Sequence, residues 1–290
     1  MVLRIAVSSD NHLDVNRIAP SVVMREQVAW LRRHQIDYYL FAGDLFNDFQ
    51  KTSHYFQQMQ AMATSTKVFF IAGNHDMLSG VDWSTMENFA SPQYLHRKFV
   101  DLPGTDWHII GNNGWYDYSF SQYVTEPEQV RRWKNVYWLD SVIDQPMDDQ
   151  QRMQLVLKQV RQQLRAAQDA QKKVLFLTHF VPLAELADDA TGPTAPTNPR
   201  YQRVYQMFRA MLGSNQLGSL LEQFANVKMV FYGHLHGAHP PVIHSGVTYY
   251  HQAVGVKNKR TNEWQAPTLL EQWKKTCRII QLDDDEPLDQ

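Results

Sequence analysis

The sequence predicts an α/β fold, and three observations carry that prediction. Short, continuously apolar runs of strand length alternate with longer stretches of helical period over the first two hundred residues. Polar residues collect at the ends of those runs, and near the C-terminus the alternation gives way to segments that read as paired strands. Uninterrupted apolar strands, as opposed to alternating ones, signal a sheet covered on both faces.

The elements follow in order. Leu3 to Ser8 reads as a strand, and Pro20 to His34 as an amphipathic helix with a proline at its start. IDYYLFAGD is a second strand, Ser53 to Ala63 a second helix, KVFFIAGNHD a third strand, and Asp106 to Ile110 a short further one. From about 111 to 171 the alternation breaks. That segment opens with GNNGWYDYSF, continues through RRWKNVYWLDSV and ends in a polar helix pattern from Asp148 to Gln171. Four of the eight tryptophans (Trp107, Trp115, Trp133 and Trp138) fall in or beside it. It is expected to be an insertion or cap beside the main sheet, with aromatics that form mostly local core. VLFLTHF (Val174 to Phe180) and VKMVFYGHLH (Val227 to His236) resume the strand pattern. VIHSGVTYYHQAVG and TCRIIQL predict antiparallel strands with a turn at Ser245-Gly246, and the acidic run 283–290 predicts a solvated, frayed end. The expectation is one domain spanning 1–290.

Composition narrows the function classes. A hydrophobic fraction of 43% with 20% charged residues is that of a globular chain. The net charge of −2, with Lys and Arg scattered, argues against nucleic acid as a partner. The single cysteine, Cys277, excludes an internal disulfide and a cysteine-based metal cage. No apolar run approaches the roughly 20 residues of a membrane span, and MVLRIAVSSDNH does not read as a signal peptide. A cytoplasmic location without membrane association is expected.

The chemistry sits at the strand ends. Strand one ends in Ser9-Asp10-Asn11-His12, strand two in Gly43-Asp44, and strand three in Gly73-Asn74-His75-Asp76. VLFLTHF contains Thr178-His179, and VKMVFYG runs into His234-Leu235-His236. Carboxyl ends of strands in open α/β sheets gather on one edge, where ligands bind. The set is rich in imidazole and carboxylate and contains no thiolate, which suits Mn, Fe or Zn. Seven candidate ligands are too many for one tetrahedral ion and suit two sharing a bridge. Asp10-x-His12 and His234-x-His236 each put two side chains on one side of an extended segment. The glycines at 43, 73 and 233 allow close backbone approach beside the ligands. A lone histidine or aspartate at a strand end is ordinarily structural; five such ends in sequence order reverse that expectation.

DNH at 10–12, GD at 43–44, GNHD at 73–76, TH at 178–179 and GHLH at 233–236 resemble the signature blocks of the calcineurin-like metallophosphoesterases. The resemblance implies a four-layer α/β/β/α sandwich, with the antiparallel strands after His236 in the second sheet. It implies one metal held by Asp10, His12, Asp44 and His236 and another by Asp44, Asn74, His179 and His234, with Asp44 bridging. It further implies hydrolysis of a phosphomonoester or phosphodiester by a metal-activated hydroxide. His75 would protonate the leaving group or stabilise the phosphoryl charge, and Asp76 would orient His75. Protein Ser/Thr phosphatases of the superfamily carry GDxxDRG, where this chain has GDLFNDF, so the chain resembles the bacterial-type phosphoesterases instead. GDLF also occurs in the superfamily's nucleases, which need a basic groove; Arg131, Arg132 and Lys134, or Lys257, Lys259 and Arg260, are the candidates for one. A small phosphorylated or nucleotide-like substrate is expected. The rival from another class is a metal-binding scaffold without catalysis.

Overall fold

In the computed structural model, which describes residues 2–187, 196–282 and 288–289, the apolar runs form two sheets. β1 (Leu3–Ser8), β2 (Tyr38–Ala42) and β3 (Lys67–Ile71) are parallel neighbours in the first. The second takes β4 (Lys98–Asp101), β5 (Trp107–Gly111), β6 (Lys173–Leu177), β7 (Val227–Tyr232), β8 (Val242–His244) and β9 (Val247–His251). Its order is β4-β5-β6-β7-β9-β8, with β5, β6, β7 and β9 parallel and β4 and β8 antiparallel at the edges. β10 (Arg278–Leu282) returns to the first sheet antiparallel to β1, and β11 (Leu288–Asp289) pairs with β10. The strands after His236 therefore divide: the hairpin turning at Ser245-Gly246 joins the second sheet, as expected, and β10 completes the first. Leu288 and Asp289 of the acidic end are paired; residues 188–195, 283–287 and 290 lie outside the described residues.

The continuous apolar strands are explained by what covers each face. Ile5 and Val7 of β1, Leu175 and Leu177 of β6, and Met229 and Phe231 of β7 point into a core between the sheets. The alternate residues Ala6, Val174, Phe176, Val230 and Tyr232 point outward into a core shared with the helices. Because both neighbours are apolar, period-two alternation leaves no polar mark along the strand.

The helices complete the outer layers. α1 (Leu13–Asn16) is a single turn behind His12, followed by α2 (Pro20–Arg33) and α3 (Phe49–Met62), which packs on β3. α3 starts four residues before the sequence pattern suggests, because Asp48 caps it by accepting from the Lys51 N–H at 2.9 Å. Next come α4 (Trp83–Glu87), α5 (Pro127–Tyr137) and α6 (Asp149–Asp169). α6 opens on a capping box, with Asp148 and Gln151 satisfying each other's backbone N–H. It lies against β6, so the segment 111–171 is the crossover between two parallel strands, its last helix part of the outer layer. α7 (Pro199–Arg209), α8 (Asn215–Glu222) and α9 (Leu269–Thr276) follow.

The aromatics of that crossover form local core around buried charge. Lys134 Nζ lies 2.7 Å from Asp149 Oδ1, and the Trp115 indole and Tyr118 hydroxyl donate to the same carboxylate. Arg152, also buried, stacks 3.4 Å from the Trp115 ring centre. Tyr137 is instead exposed, and Trp138 faces the cleft described next. Among the described residues, no helix is long and apolar enough to cross a membrane.

Candidate metal centre

The carboxyl ends of strands from both sheets meet, and backbone hydrogen bonds tie them together. The Asp10 N–H donates to Gly43 O at 2.9 Å, and the His12 N–H to Asp44 O at 3.0 Å. Across the sheets the His234 N–H donates to Asp10 Oδ1 at 3.1 Å, and within the second sheet the Gly233 N–H donates to His179 O at 3.0 Å. Asp10, His12, Asp44 and His234 all have left-handed backbone, with φ of 56°, 43°, 65° and 70°. Such residues cost about 1 to 3 kcal/mol each and persist where the surroundings fix them. Two glycines make room: a Cβ on Gly73 would lie 2.1 Å from Asp44 Oδ1, and one on Gly233 2.5 Å from Asp10 Oδ2.

All seven expected ligands converge. Asp10, His12 and His236 form one group of potential ligand atoms within 4.8 Å of one another, and Asp44, His179 and His234 form another. Asp44 Oδ2 lies 3.4 Å from His179 Nε2 and 3.7 Å from His12 Nε2, between the two groups. Asn74 Oδ1 lies 3.1 Å from both His179 Nε2 and His234 Nδ1. His12 Nε2 lies 3.0 Å from His236 Nε2.

The donor chemistry fits metal ions. Three of the imidazoles have their outward nitrogen occupied: His179 Nδ1 on Ala42 O at 2.8 Å, His234 Nε2 on Met211 O at 3.2 Å, and His236 Nδ1 on Glu263 Oε2 at 2.7 Å. Each outward N–H donates, which leaves an inward lone pair, the usual outer arrangement around a ligating histidine. In their neutral form, the inward nitrogens of His179 and His234 are acceptors facing the acceptor Asn74 Oδ1, a conflict that a proton or a bound cation resolves. Neighbouring ligands at about 2.1 Å from one ion stand roughly 3 Å apart, the spacing found between these atoms. The charges respond to the same crowding. Burial opposes charge on His179 and His236, yet Asp44 carries the first up to about 9, and Asp10 with Glu263 carries the second up to about 10. Burial and the neighbouring His179 push His234 down to about 3. Burial opposes ionisation of Asp44 as well, but His179, His75 and His12 hold it well below the ordinary carboxylate range.

His75 and Asp76 part company. His75 Nδ1 lies 2.8 Å from Asn47 Oδ1, and its ring meets that of His12 edge-on at 4.6 Å. Asp76 was expected to orient His75, and it does not touch the imidazole. Its carboxylate accepts instead from the backbone N–H groups of Asp44, Leu45, Phe46 and Gly73 and from the Thr52 hydroxyl. The chain turns into a short 3-10 helix at Asp76–Leu78, which drives Asp76 under the strand ends while His75 stays at the surface of the site. Asp76 thus builds the loop that carries Asp44, and Asn47 orients His75. Burial and Asp44 together raise the Asp76 carboxyl to about 6.

The remaining positions sort plainly. The Asn74 amide is fixed by Asp140, whose Oδ1 accepts from Nδ2 at 2.8 Å, and Asp140 Oδ2 accepts from the Trp138 indole at 3.0 Å. Asp117 binds Ser214 and Gln216 at the start of α8 and does not reach the cluster. His251 donates to Leu235 O at 2.7 Å and so braces the residue between His234 and His236. The proposed basic patches are spoken for in part: Arg131 pairs with Glu128, Lys134 with Asp149, and Lys257 Nζ with Pro267 O. The sequence reading missed Asp140, Glu263 and the role of Asn47. Only Asn47 carried a signal, its place three residues after Asp44. A cleft of about 590 Å³ opens over Asp44, Asn74, His75, His234 and His236, with Trp138, Tyr205, Phe208, Leu212 and Leu235 along its side.

The fold is similar to that of solved structures. A dimetal phosphatase from Danio rerio superposes with a TM-score of 0.56 at 14% identity, over 98% of this chain and 94% of that one. GAP50, the anchor in the inner membrane complex of Plasmodium, gives 0.47 at 9% identity over 99% of this chain and 82% of that one. No curated protein matches in a sequence search. The family model for the calcineurin-like phosphoesterases matches residues 3–238, and the chain belongs to that family.

Proposed function

We propose that the protein hydrolyses a phosphomonoester or phosphodiester with two metal ions, Mn, Fe or Zn. The observation that carries this reading is the set of three imidazoles tied outward to Ala42, Met211 and Glu263, which aims the inward nitrogens of His179 and His234 at Asn74 and that of His236 at Asp10 and His12. Asp10, His12, Asp44 and His236 would hold one ion, and Asp44, Asn74, His179 and His234 the other. Bound there, the ions supply Lewis acidity to the phosphoryl oxygens and lower the pKa of water. The protein's own part is to bind, orient and move a proton. With Nδ1–H donated to Asn47 Oδ1, His75 keeps Nε2 for exchange with the leaving-group oxygen or for contact with the phosphoryl group. The apolar side of the cleft excludes water from that exchange.

Metal analysis of the purified protein, alongside a panel of mono- and diesters, tests the reading. Two equivalents of metal with turnover on at least one ester are expected. A protein that binds both ions and hydrolyses none would be a scaffold instead. The nuclease alternative predicts salt-sensitive DNA binding, and the pairing of Arg131 and Lys134 with acidic neighbours weighs against it.

A further inference from the structure

On the phosphoesterase reading, the cleft must hold the rest of the ester as well as its phosphoryl group, and the wall limits what that rest can be. Trp138, Tyr205, Phe208, Leu212 and Leu235 present hydrocarbon along one side. The charged side chains beside them are committed: Glu263 to His236, and Arg209 through Nε to Phe120 O at 2.9 Å and through Nη1 to the Tyr205 hydroxyl at 3.4 Å. Along that wall a second phosphate or a sugar would meet hydrocarbon, while His239 and Gln265 are the other polar side chains that line the cleft.

The apolar surface does not stop at the mouth. Phe208, Val204 and Tyr201 stand at i, i−4 and i−7 on α7, one face of the helix, and are 42%, 48% and 62% exposed. Across the mouth, Tyr137 and Leu139 flank Trp138 and are 69% and 48% exposed. The Trp138 and Phe208 rings meet edge to face at 5.2 Å, which makes the two surfaces one. Contiguous exposed hydrocarbon of this kind marks a binding surface.

We propose that the α7 stripe receives the alkyl chain of an amphiphilic phosphoester whose head sits at the metal centre. Seven residues of helix cover about 10 Å at 1.5 Å per residue, roughly the reach of an octyl chain. A chain attached to the phosphoryl group leaves the cleft past Phe208 and runs onto Val204 and Tyr201. Base stacking would use aromatic faces alone, whereas Val204, Leu139, Leu212 and Leu235 are aliphatic.

The test is calorimetric binding of alkyl phosphonates to the metal-loaded protein, below their micellar concentrations. Affinity is expected to rise at least tenfold from butyl to octyl phosphonate, since each buried methylene contributes about fourfold. Tyr201→Ser and Val204→Ser, at exposed positions away from the metal centre, are each expected to shrink that ratio. An affinity independent of chain length overturns the proposal, as does a ratio unchanged in both variants. Hydrolysis of a generic aryl phosphate is measured separately. Its absence counts against the phosphoesterase reading, while the phosphonate ratio still decides the stripe.

Discussion

The Asn74 amide donates through Nδ2 to Asp140 Oδ1 at 2.8 Å, so a carboxylate 66 residues away decides which end of the amide faces His179 and His234. Without that acceptor the ions must orient the amide themselves, at a cost in affinity. Asp140→Ala is expected to weaken the affinity for one metal by about 10- to 100-fold. Asp140→Asn, which keeps an oxygen in place, should recover part of the loss. Metal titration by calorimetry resolves the two, and equal, undiminished affinity in Asp140→Ala would remove Asp140 from the centre.

Asp44 lies between the two ligand groups, near His12 of one and His179 of the other. Asp44→Asn is expected to cut bound metal to well under one equivalent and to lower aryl phosphate hydrolysis by at least about 100-fold. Elemental analysis and steady-state kinetics on the same preparation check both. Full activity in this variant would sink the two-metal assignment.

His75, Asn47 and Asp76 separate into kinetic and structural effects. His75→Ala should retain both metals and lower kcat by about 10²- to 10⁴-fold. Asn47→Ala should cost less and leave the metals in place. Asp76→Ala removes the acceptor for four backbone N–H groups and one hydroxyl, and should lower folding stability by about 3 kcal/mol or more. Denaturant titration distinguishes it from the other two. A stability loss confined to His75→Ala would reverse the assignment.

The buried Lys134–Asp149 pair gives a pH signature. Burial opposes the Asp149 charge, and Lys134 overrides it and holds the carboxyl below its ordinary range. A depressed folded-state pKa means that this stability is complete above the unfolded value near 4 and is lost as pH falls through the folded value. Lys134→Met strands the carboxylate and should cost about 3 to 5 kcal/mol at neutral pH. The penalty should shrink below about pH 4, where Asp149 is protonated without its partner. Melting curves across pH 3 to 7 measure it; a penalty that does not change with pH would contradict the pairing.

What was legible in the sequence follows from what local patterns encode. The seven ligand positions could be read because each lies just after an apolar run, where the strand ends and the chain must turn. Periodicity alone could not divide the strands between two sheets, because Ile5 and Ala6 are both apolar whether a helix or a second sheet covers them; the resemblance of the five blocks implied the division, and the structure has it. Two outward histidine partners, Ala42 O and Met211 O, are backbone carbonyls, which any residue would supply. Asp140, in a 3-10 turn at Leu139–Val142, and Glu263, outside any helix or strand, reach the centre through tertiary packing. Asp76 follows His75 directly, yet one 3-10 turn carries its carboxylate away from the imidazole to the loop of Asp44, which the resemblance did not convey.

The family match ends at residue 238, but the frame of the metal centre does not. β10 covers the edge of β1, the strand that leads to Asp10, and Glu263 aims His236. A fragment trimmed to the matched region would carry all seven ligands and still expose β1 as an open edge, a template for aggregation. Metal binding in that fragment should fail although no ligand is missing, and light scattering beside metal analysis would reveal why. For anyone dissecting or grafting this centre, the last fifty residues are its chassis.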